Sequence, residues 1–192
     1  MNSTMGKSNN PRLIGVQCTS LIPVETVHEN PWFSVCKRNG FFTIEYKMPQ
    51  VLILPVVDNK AIVMVRVYRP LIADCTLELP SGGALNNETP IETAARELAE
   101  ETGIVINNLD RFEIIPPLID MVINPVLPYF YKIHLTEHEF ELRKIHDQEI
   151  ESVECFLFDN ILNKIANGEI YISLSIAVIV RYFITTIPML LK

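Results

Sequence analysis

Two apolar runs near the middle of the chain constrain its fold most. The runs are VLILPVV at residues 51–57 and AIVMVRVY at residues 61–68, and they contain almost no polar positions. A strand with one face in water alternates apolar and polar residues, whereas a nearly continuous apolar run is typical of a strand covered on both faces. Asp58, Asn59 and Lys60 separate the runs and favour a turn. We therefore predict neighbouring strands in a sheet that is buried on both faces.

Other segments extend this pattern into an alternation of strands and helices. Further strands are predicted at FFTIEY (41–46), YFYKIHL (129–135) and SVECFLF (152–158). Helices are predicted at residues 90–102, at residues 160–167 before Gly168, and in the apolar stretch that starts at Ile170, with Ser173 or Ser175 as its cap. The charged segment 136–151 is compatible with a mobile loop or with a short surface helix. The order of strands, helix, strands and helix indicates the α/β class.

The length and the termini predict one domain. A chain of 192 residues is sufficient for a single well-packed core. We expect residues 1–30 to be a partly disordered N-terminal segment, without the apolar core of a signal peptide, and residues 31–192 to be the domain. The longest uncharged run near the C-terminus, 170–180, is shorter than the ~20 residues of a membrane-spanning helix. We therefore expect a buried helix there and no membrane association.

Charge and cysteine spacing narrow the classes of function. The chain has 16 Lys and Arg against 23 Asp and Glu, a net charge of −7, and it has no basic run. Nucleic-acid binding is therefore not expected, and binding of phosphates would require metal ions or well-placed arginines. The widely spaced Cys18, Cys36, Cys75 and Cys155 favour neither a zinc site nor disulfides, as expected for reduced thiols in the cytoplasm.

The helix predicted at residues 90–102 carries a cluster of acids. Thr89, Pro90 and Glu92 form a capping-box start, and Gly103 provides the stop. At 100° per residue the apolar side chains fall on one face, and Glu97, Glu100 and Glu101 fall on the other. Like charges at these spacings cost about 0.2–0.5 kcal/mol per pair. The cluster is therefore either a solvated acidic face or the ligand set of a divalent cation.

The residues around this helix resemble the Nudix box. GGALNNETPIETAARELAEETGI, residues 82–104, fits the pattern G-x5-E-x7-R-E-U-x-E-E-x-G-U, in which U is an aliphatic residue. The resemblance implies a Nudix-type α/β/α sandwich with a mixed β-sheet and the box helix on one face. It also implies an enzyme that hydrolyses a nucleoside diphosphate linked to another group with the help of Mg²⁺, or of Mn²⁺.

The same resemblance assigns roles to single residues. Glu97, Glu100 and Glu101 correspond to metal ligands, the last two with a direct part in catalysis. Arg96 corresponds to the catalytic-site arginine that pairs with these glutamates and orients them. The two structural positions are Glu88, which supports the cluster, and Gly103.

The residues before the box resemble the ADP-ribose and nucleotide-sugar pyrophosphatase subgroup. The resemblance rests on Tyr68-Arg69-Pro70 and on ELPSG at residues 78–82. It implies that Arg69 contacts a substrate phosphate, that Glu78 and Gly82 help to hold the substrate, and that the Ser81 backbone carbonyl is a metal ligand. It also implies a homodimer in which residues of about 31–50 contribute to the interface.

Three questions stay open at this stage. Glu149, with Asp147 and Glu151 behind it, is the candidate general base, but HDQEIE is equally compatible with a solvated loop. Tyr129 and Tyr131 either stack on a base or belong to the core. The resemblance implies that the substrate is ADP-ribose or a related nucleotide sugar. The alternative substrates are a GDP-sugar, a dinucleotide, CoA or a nucleoside triphosphate. The alternative that is not an enzyme is a non-catalytic, nucleotide-binding regulatory protein.

Overall fold

The computed structural model describes residues 22–119, 121, 123–144 and 146–186. The expected disorder of the first residues, and residues 187–191 of the apolar C-terminal stretch, lie outside these ranges. A small antiparallel sheet comes first and has the order β1-β2-β3, formed by β1 (Val24–Glu29), β2 (Phe33–Arg38) and β3 (Phe41–Tyr46). Residues 24–29, which were assigned to the N-terminal segment, therefore pair with the start of the predicted domain.

The second sheet has seven strands and forms the centre of the molecule. Its main order is β10-β5-β4-β9-β8, while β6 pairs with β5 and β7 pairs with β4. Its strands are β4 (Gln50–Val57), β5 (Ala61–Arg69), β6 (Asp74–Glu78), β7 (Ser81–Gly83), β8 (Glu113–Ile115), β9 (Tyr129–Leu135) and β10 (Ile150–Leu157). The β4–β9 pair is parallel and the other pairs are antiparallel, so the sheet is mixed, as predicted.

The turn between β4 and β5 follows from its residues. Asp58 and Asn59 both adopt positive φ, 46° and 55°, which suits a tight hairpin turn and is tolerated by short polar side chains. Only the residues next to the turn pair β4 with β5. Further along, the strands diverge, β7 pairs with β4 and β6 pairs with β5. This divergence places the segment that precedes the box beside the start of β4.

In the described part of the chain, four α-helices pack around the central sheet: α1 (Pro90–Thr102), α2 (Glu137–Glu141), α3 (Phe158–Ala166) and α4 (Ser173–Thr186). Val51 and Ile53 of β4 pack with α1, whereas Leu52 and Leu54 face the core formed with α3 and α4. Because successive strand residues point to opposite faces, the apolar run of β4 serves both cores. The α/β/α sandwich with the box helix on one face is therefore confirmed.

Some helix details differ from the sequence-based expectations. The charged segment 136–151 contains the short helix α2, capped by Thr136 and Glu139, and then a loop. Helix α3 begins at Phe158, two residues before the predicted start at Asn160. Ser175 does not cap the last helix but lies inside it, where its Oγ accepts the Leu79 amide at 3.0 Å. Within the described parts of the chain, no helix has the length and apolar content needed to cross a membrane.

Candidate functional site

The predicted capping residues are observed at both ends of helix α1 and define where it begins and ends. Thr89 is the N-cap, its side chain accepts the Glu92 amide, and the Glu92 carboxylate in turn accepts the Thr89 amide at 2.9 Å. Gly103 ends the helix at a left-handed φ of 74°. The packing of Ala94 and Leu98 on the central sheet then turns the glutamate face toward β7.

Arg96 binds several acceptors of the box at once. Its guanidinium makes two hydrogen bonds to Glu88, at 2.9 and 3.0 Å, and its Nη1 contacts Glu100 at 2.7 Å and Glu97 at 2.9 Å. Its Nη2 also donates to the Gly83 carbonyl at 2.9 Å. The neighbouring carboxylates raise the pKa of Arg96 above its already high usual value. The arginine thus links the loop, the helix and the acidic cluster.

Glu88 holds the loop between β7 and α1. Besides the two bonds from Arg96, its carboxylate accepts the Leu85 amide at 2.9 Å and the Thr93 hydroxyl at 3.1 Å. These bonds, Arg96 above all, lower the pKa of Glu88 and keep it ionised. Thr93 is fully buried, and its role could not be predicted from the sequence because a helical threonine carries no distinctive signal.

Glu97 lies directly beneath Gly82. It is only 9% exposed, and a Cβ at Gly82 would lie within 2.5 Å of three atoms of its carboxyl group. A side chain at position 82 would therefore have to displace the Glu97 carboxyl group from its place beneath the loop. Burial raises the pKa of Glu97, and the contact with Arg96 opposes that shift. The acidic face is thus partly covered by the protein and is not simply solvated.

Glu101 is the more strongly perturbed acid. Burial raises its pKa to about 8, although the Ser81 amide donates to Oε2 at 2.9 Å and Arg69 is near enough to oppose the shift. The charge on Glu97 raises the same pKa further. The positive charge around Glu101 is too weak to offset the cost of burying its ionised form, so the neutral form is favoured.

The predicted ligands are assembled side by side but do not converge on one point. Glu97 and Glu101 lie beneath β7, while Glu100 is exposed and turned toward Arg96. Among the described residues, no group of three or more His, Cys, Asp or Glu side chains is arranged to hold a metal ion as it stands. Arg96 contacts one oxygen of Glu97 and one oxygen of Glu100, so binding of a cation to all three would use the second oxygens or a shift of the Glu100 side chain.

The donor set nevertheless fits a hard divalent cation. The available donors are carboxylate oxygens, which Mg²⁺ and Mn²⁺ prefer. The buried Glu101, with its raised pKa, needs the positive charge that such an ion supplies. The absence of a side chain at Gly82 leaves the space that the Glu97 carboxyl group occupies. Glu97, Glu100 and Glu101 are therefore suited to hold the metal that the resemblance implies.

Arg69 and Glu78 pair with each other beside this cluster. The guanidinium makes two hydrogen bonds to the Glu78 carboxylate, at 2.7 and 2.8 Å, and the Thr76 hydroxyl also donates to Glu78. Glu78 is buried, whereas the Arg69 side chain is 45% exposed. The charges of Glu78, Glu101 and Glu149 raise the pKa of Arg69. The predicted substrate arginine is thus oriented by a buried acid and faces the same region as the other acids.

A pocket of about 190 Å³ adjoins the segment Glu78–Gly82. It lies where β3, the start of β4, residues 124–128 and the start of α4 meet, and the described residues that line it include no Lys or Arg. Besides Glu78, Ser81 and Ser175, the polar side chains that line the pocket are those of Tyr46, Gln50 and Asn124. These residues were missed from the sequence because they come from three separate segments.

Glu149 lies on the loop between α2 and β10. Its side chain is exposed. The loop approaches the C-terminal end of α1, where the Asp147 amide donates to the Glu100 carbonyl at 2.7 Å. Glu149 and Glu101 are both close enough to Arg69 to raise its pKa. The loop therefore lies in the same region as the box. Among the described residues, its acidic side chains make no direct contact with the carboxylates of Glu97, Glu100 and Glu101.

Tyr131 belongs to the core and not to a stacking site. It is 6% exposed and packs edge-on against Phe112 with ring centroids 6.3 Å apart. Tyr129 is half-buried and packs against the same cluster. Tyr129 and Tyr131 of β9 therefore stabilise the α1 side of the sandwich.

Two comparisons with known proteins agree with this geometry. The sequence profile of the NUDIX domain matches residues 47–174, from the start of β4 to the start of α4. The ADP-ribose pyrophosphatase of Bacillus subtilis (strain 168) is 31% identical over 124 residues, which cover 63% of this chain and 64% of the relative. The match therefore spans slightly less than two thirds of the relative's length.

Proposed function

Because this chain belongs to the Nudix family, we propose that it is a pyrophosphohydrolase that cleaves the diphosphate bond of ADP-ribose or of a related nucleotide sugar. The products would be a nucleoside monophosphate and a sugar phosphate. The observation that carries the proposal is the approach of Gly82 to the buried Glu97, with Glu101 beside it and Arg96 bridging the cluster. The similarity to an ADP-ribose pyrophosphatase supports the choice of substrate class.

The proposed mechanism gives each residue of the site a defined task. Bound Mg²⁺ or Mn²⁺ supplies charge neutralisation for the diphosphate and lowers the pKa of the attacking water. Glu97, Glu100 and Glu101, with the Ser81 carbonyl, would hold the metal, and Arg96 orients the carboxylates.

Two further residues act on the water and on the substrate. Glu149 accepts the proton of the water, and Arg69 binds a phosphate while Glu78 keeps the Arg69 guanidinium in place.

The pocket beside Glu78–Gly82 suits the uncharged part of the substrate. Its described lining contains hydrogen-bonding side chains, Gln50 and Asn124 among them, and apolar residues, but no cation for a phosphate. At about 190 Å³ it is smaller than the ~300 Å³ at which sites for drug-sized ligands begin. It would therefore receive one end of a nucleotide sugar, the nucleoside or the terminal sugar, while the diphosphate lies toward Arg69 and the glutamates.

Assembly and location complete the proposal. Apolar side chains are exposed on the small N-terminal sheet and its turns, including Val27, Trp32, Phe41 and Phe42. We propose that this sheet forms a homodimer interface. A cytoplasmic location is proposed as well, because the thiols of Cys36, Cys75 and Cys155 are not paired in disulfides, as is usual for cytosolic proteins.

The test is a hydrolysis assay with a panel of substrates. ADP-ribose, GDP-sugars, dinucleotides, CoA and nucleoside triphosphates are incubated with Mg²⁺, and released phosphates are identified. ADP-ribose or another nucleotide sugar is expected to give the highest kcat/KM, and Glu101→Gln is expected to abolish turnover while Glu141→Gln, an exposed change on α2, leaves it intact. Turnover unaffected by Glu101→Gln would refute the metal mechanism. Tight nucleotide binding without turnover would identify a regulatory protein instead.

A further inference from the structure

The α2–β10 loop is attached to the free carbonyl end of helix α1. The last carbonyls of an α-helix have no partner inside the helix. Here the Lys144 amide donates to the Gly103 carbonyl at 2.8 Å, and the Asp147 amide donates to the Glu100 carbonyl at 2.7 Å. The two amides are three residues apart, as are the two carbonyls, so the loop is fixed in one register on the helix end.

Gly103 permits this contact because it has no side chain. A Cβ at Gly103 would lie within 2.9 Å of the backbone N, C and O atoms of Lys144. Backbone atoms cannot move aside as a flexible side chain would, so any larger residue must push the loop away from the helix. The glycine therefore does more than end the helix at positive φ.

The position of the loop determines the position of Glu149. Only one residue separates Glu149 from Asp147, whose amide is bound to the helix end. Glu100 contributes its carbonyl to that bond and its side chain to the acidic cluster. The loop and the cluster are thus both attached to the last turn of α1.

We propose that Gly103 is a positioning residue for the general base: by seating the α2–β10 loop on the end of α1, it sets the distance between Glu149 and the metal-binding glutamates. The proposal rests on the function proposed above, in which Glu149 accepts the proton of the attacking water. It predicts that enlarging residue 103 impairs the chemical step and leaves metal binding intact.

Gly168 provides a matched control. It follows helix α3 at a φ of 75°, almost the same as the 74° of Gly103, but a Cβ there would meet nothing within 4 Å. Gly103→Ala and Gly168→Ala therefore impose the same backbone strain after a helix, and only the first also displaces a loop. The difference between the two variants isolates the loop contact.

Kinetics give the first measurement. Gly103→Ala is expected to lower kcat about 10- to 100-fold relative to Gly168→Ala, because a displacement near 1 Å has effects of this size. KM and the affinity for Mn²⁺ should stay unchanged. In a Glu149→Gln background the same substitution should have no further effect, since the group that it misplaces is already lost. Equal kcat values for the two alanine variants, or an undiminished effect in the Glu149→Gln background, would overturn the proposal.

Hydrogen exchange gives a measurement that does not depend on activity. The amides of Lys144 and Asp147 are expected to be protected in the wild type and in Gly168→Ala, and to exchange freely in Gly103→Ala. If Gly103→Ala fails to fold, Lys144→Pro removes one of the two amide donors without changing the helix, and it should expose Asp147 and lower kcat in the same way. Unchanged protection in the variant that folds would refute the loop contact. A wild type that hydrolyses nothing in the panel would instead refute the proposed function and leave this exchange result valid.

Discussion

At the scale of single residues, Arg96 carries more interactions than its position on the edge of an acidic face suggests. It contacts Glu88, Glu97 and Glu100, and it also donates to a loop carbonyl. A planar guanidinium with five donors can bind several acceptors at once, whereas a lysine ammonium is a compact point charge. The arginine therefore holds the loop and the carboxylates in one arrangement before any metal binds.

Arg96→Lys is expected to reduce Mn²⁺ affinity or kcat about 10- to 100-fold, as is typical when a partner of a metal ligand is lost. The matched control is Arg111→Lys. Arg111 also pairs with one carboxylate through two contacts, at 2.6 and 3.1 Å from Glu139, but it lies outside the box. Metal titration and steady-state kinetics of both variants check the prediction. Equal losses in the two variants would show that Arg96 contributes only general stability.

Glu149→Gln is expected to lower kcat about 10²- to 10⁴-fold, which is the usual contribution of a general base. The amide keeps the shape of the side chain and removes its ability to take a proton. Glu151→Gln, an exposed change two residues away, should retain activity. Single-turnover rates at saturating metal separate this effect from metal binding. A larger loss for Glu151→Gln or Asp147→Asn would assign the base to that residue.

At the scale of elements, strand β7 is held close to helix α1. The strand has three residues, pairs with β4, and places Gly82 over Glu97. The contact depends on the position of the helix, which the capping box and the burial of Leu98 determine. The site is therefore an interface between two elements and not a property of the helix alone.

Gly82→Ala is expected to displace Glu97 and to weaken Mn²⁺ binding about 10- to 100-fold. Gly83→Ala is the neighbouring control, because a Cβ there would meet the Gln50 side-chain amide at 3.0 Å and would not reach the Glu97 carboxyl group. Mn²⁺ titration monitored by electron paramagnetic resonance compares the two variants. Thermal unfolding of both would show whether folding is affected. An equal metal affinity in the two variants would contradict the assigned role of Gly82.

Helix α2 is tied to Arg111, in the segment before β8, by an ion pair whose strength depends on pH. Arg111 is the main cause that lowers the pKa of Glu139 to about 2. Because the folded pKa is below the unfolded value of about 4.3, this stabilisation is present above the unfolded pKa and is lost as the pH falls toward 2. Allowing for the 30% exposure of the Glu139 side chain, we expect about 1–2 kcal/mol at neutral pH.

Urea unfolding of the wild type and of Glu139→Gln at several pH values checks this expectation. The difference in free energy of unfolding between the wild type and Glu139→Gln should have its full size at pH 6 and should shrink between pH 4 and pH 2. Glu141→Gln, at an exposed position at the end of the same helix, serves as the control. A difference that stays constant with pH would show that the pair contributes nothing through the charge of Glu139.

At the scale of the whole molecule, the N-terminal sheet leaves apolar side chains exposed. Trp32, Phe41 and Phe42 are 72%, 67% and 56% exposed. Paired charges secure the same sheet internally: Arg38 makes two hydrogen bonds to Glu45, at 2.6 and 2.8 Å, and both residues are largely buried. A well-formed sheet with exposed aromatic rings is suited to bury them against a second copy.

Phe41→Glu combined with Phe42→Glu is expected to convert a dimer into a monomer, because two charges would be buried without partners. Leu71→Glu is the control, since Leu71 is fully exposed at the turn after β5, outside this sheet. Light scattering after size-exclusion chromatography measures the mass of each variant. A monomeric wild type, or a dimer unaffected by the double change, would contradict the proposed interface.

Local patterns predicted much of the fold. The turn at Asp58 and Asn59, the limits of α1 and the burial of both faces of β4 all follow from residues that are adjacent in sequence. Short or edge strands such as β6, β7 and β8 were missed, because three to five residues carry too little periodicity to be recognised. The first strand, β1, was missed because its residues are exposed and gain their order from pairing with β2.

The sequence by itself determined the acidic cluster, its spacing and its membership of the box, because helix periodicity and the box pattern are local properties. It could not determine that Glu97 is buried beneath Gly82, that Glu101 has a pKa of about 8, or that Arg69 is oriented by Glu78. These features arise where separate segments meet, and burial and Coulomb interactions depend on distance in space. Only the tertiary structure therefore decided that Glu97 and Glu101 of this acidic helix face are covered by the protein, while Glu100 is exposed.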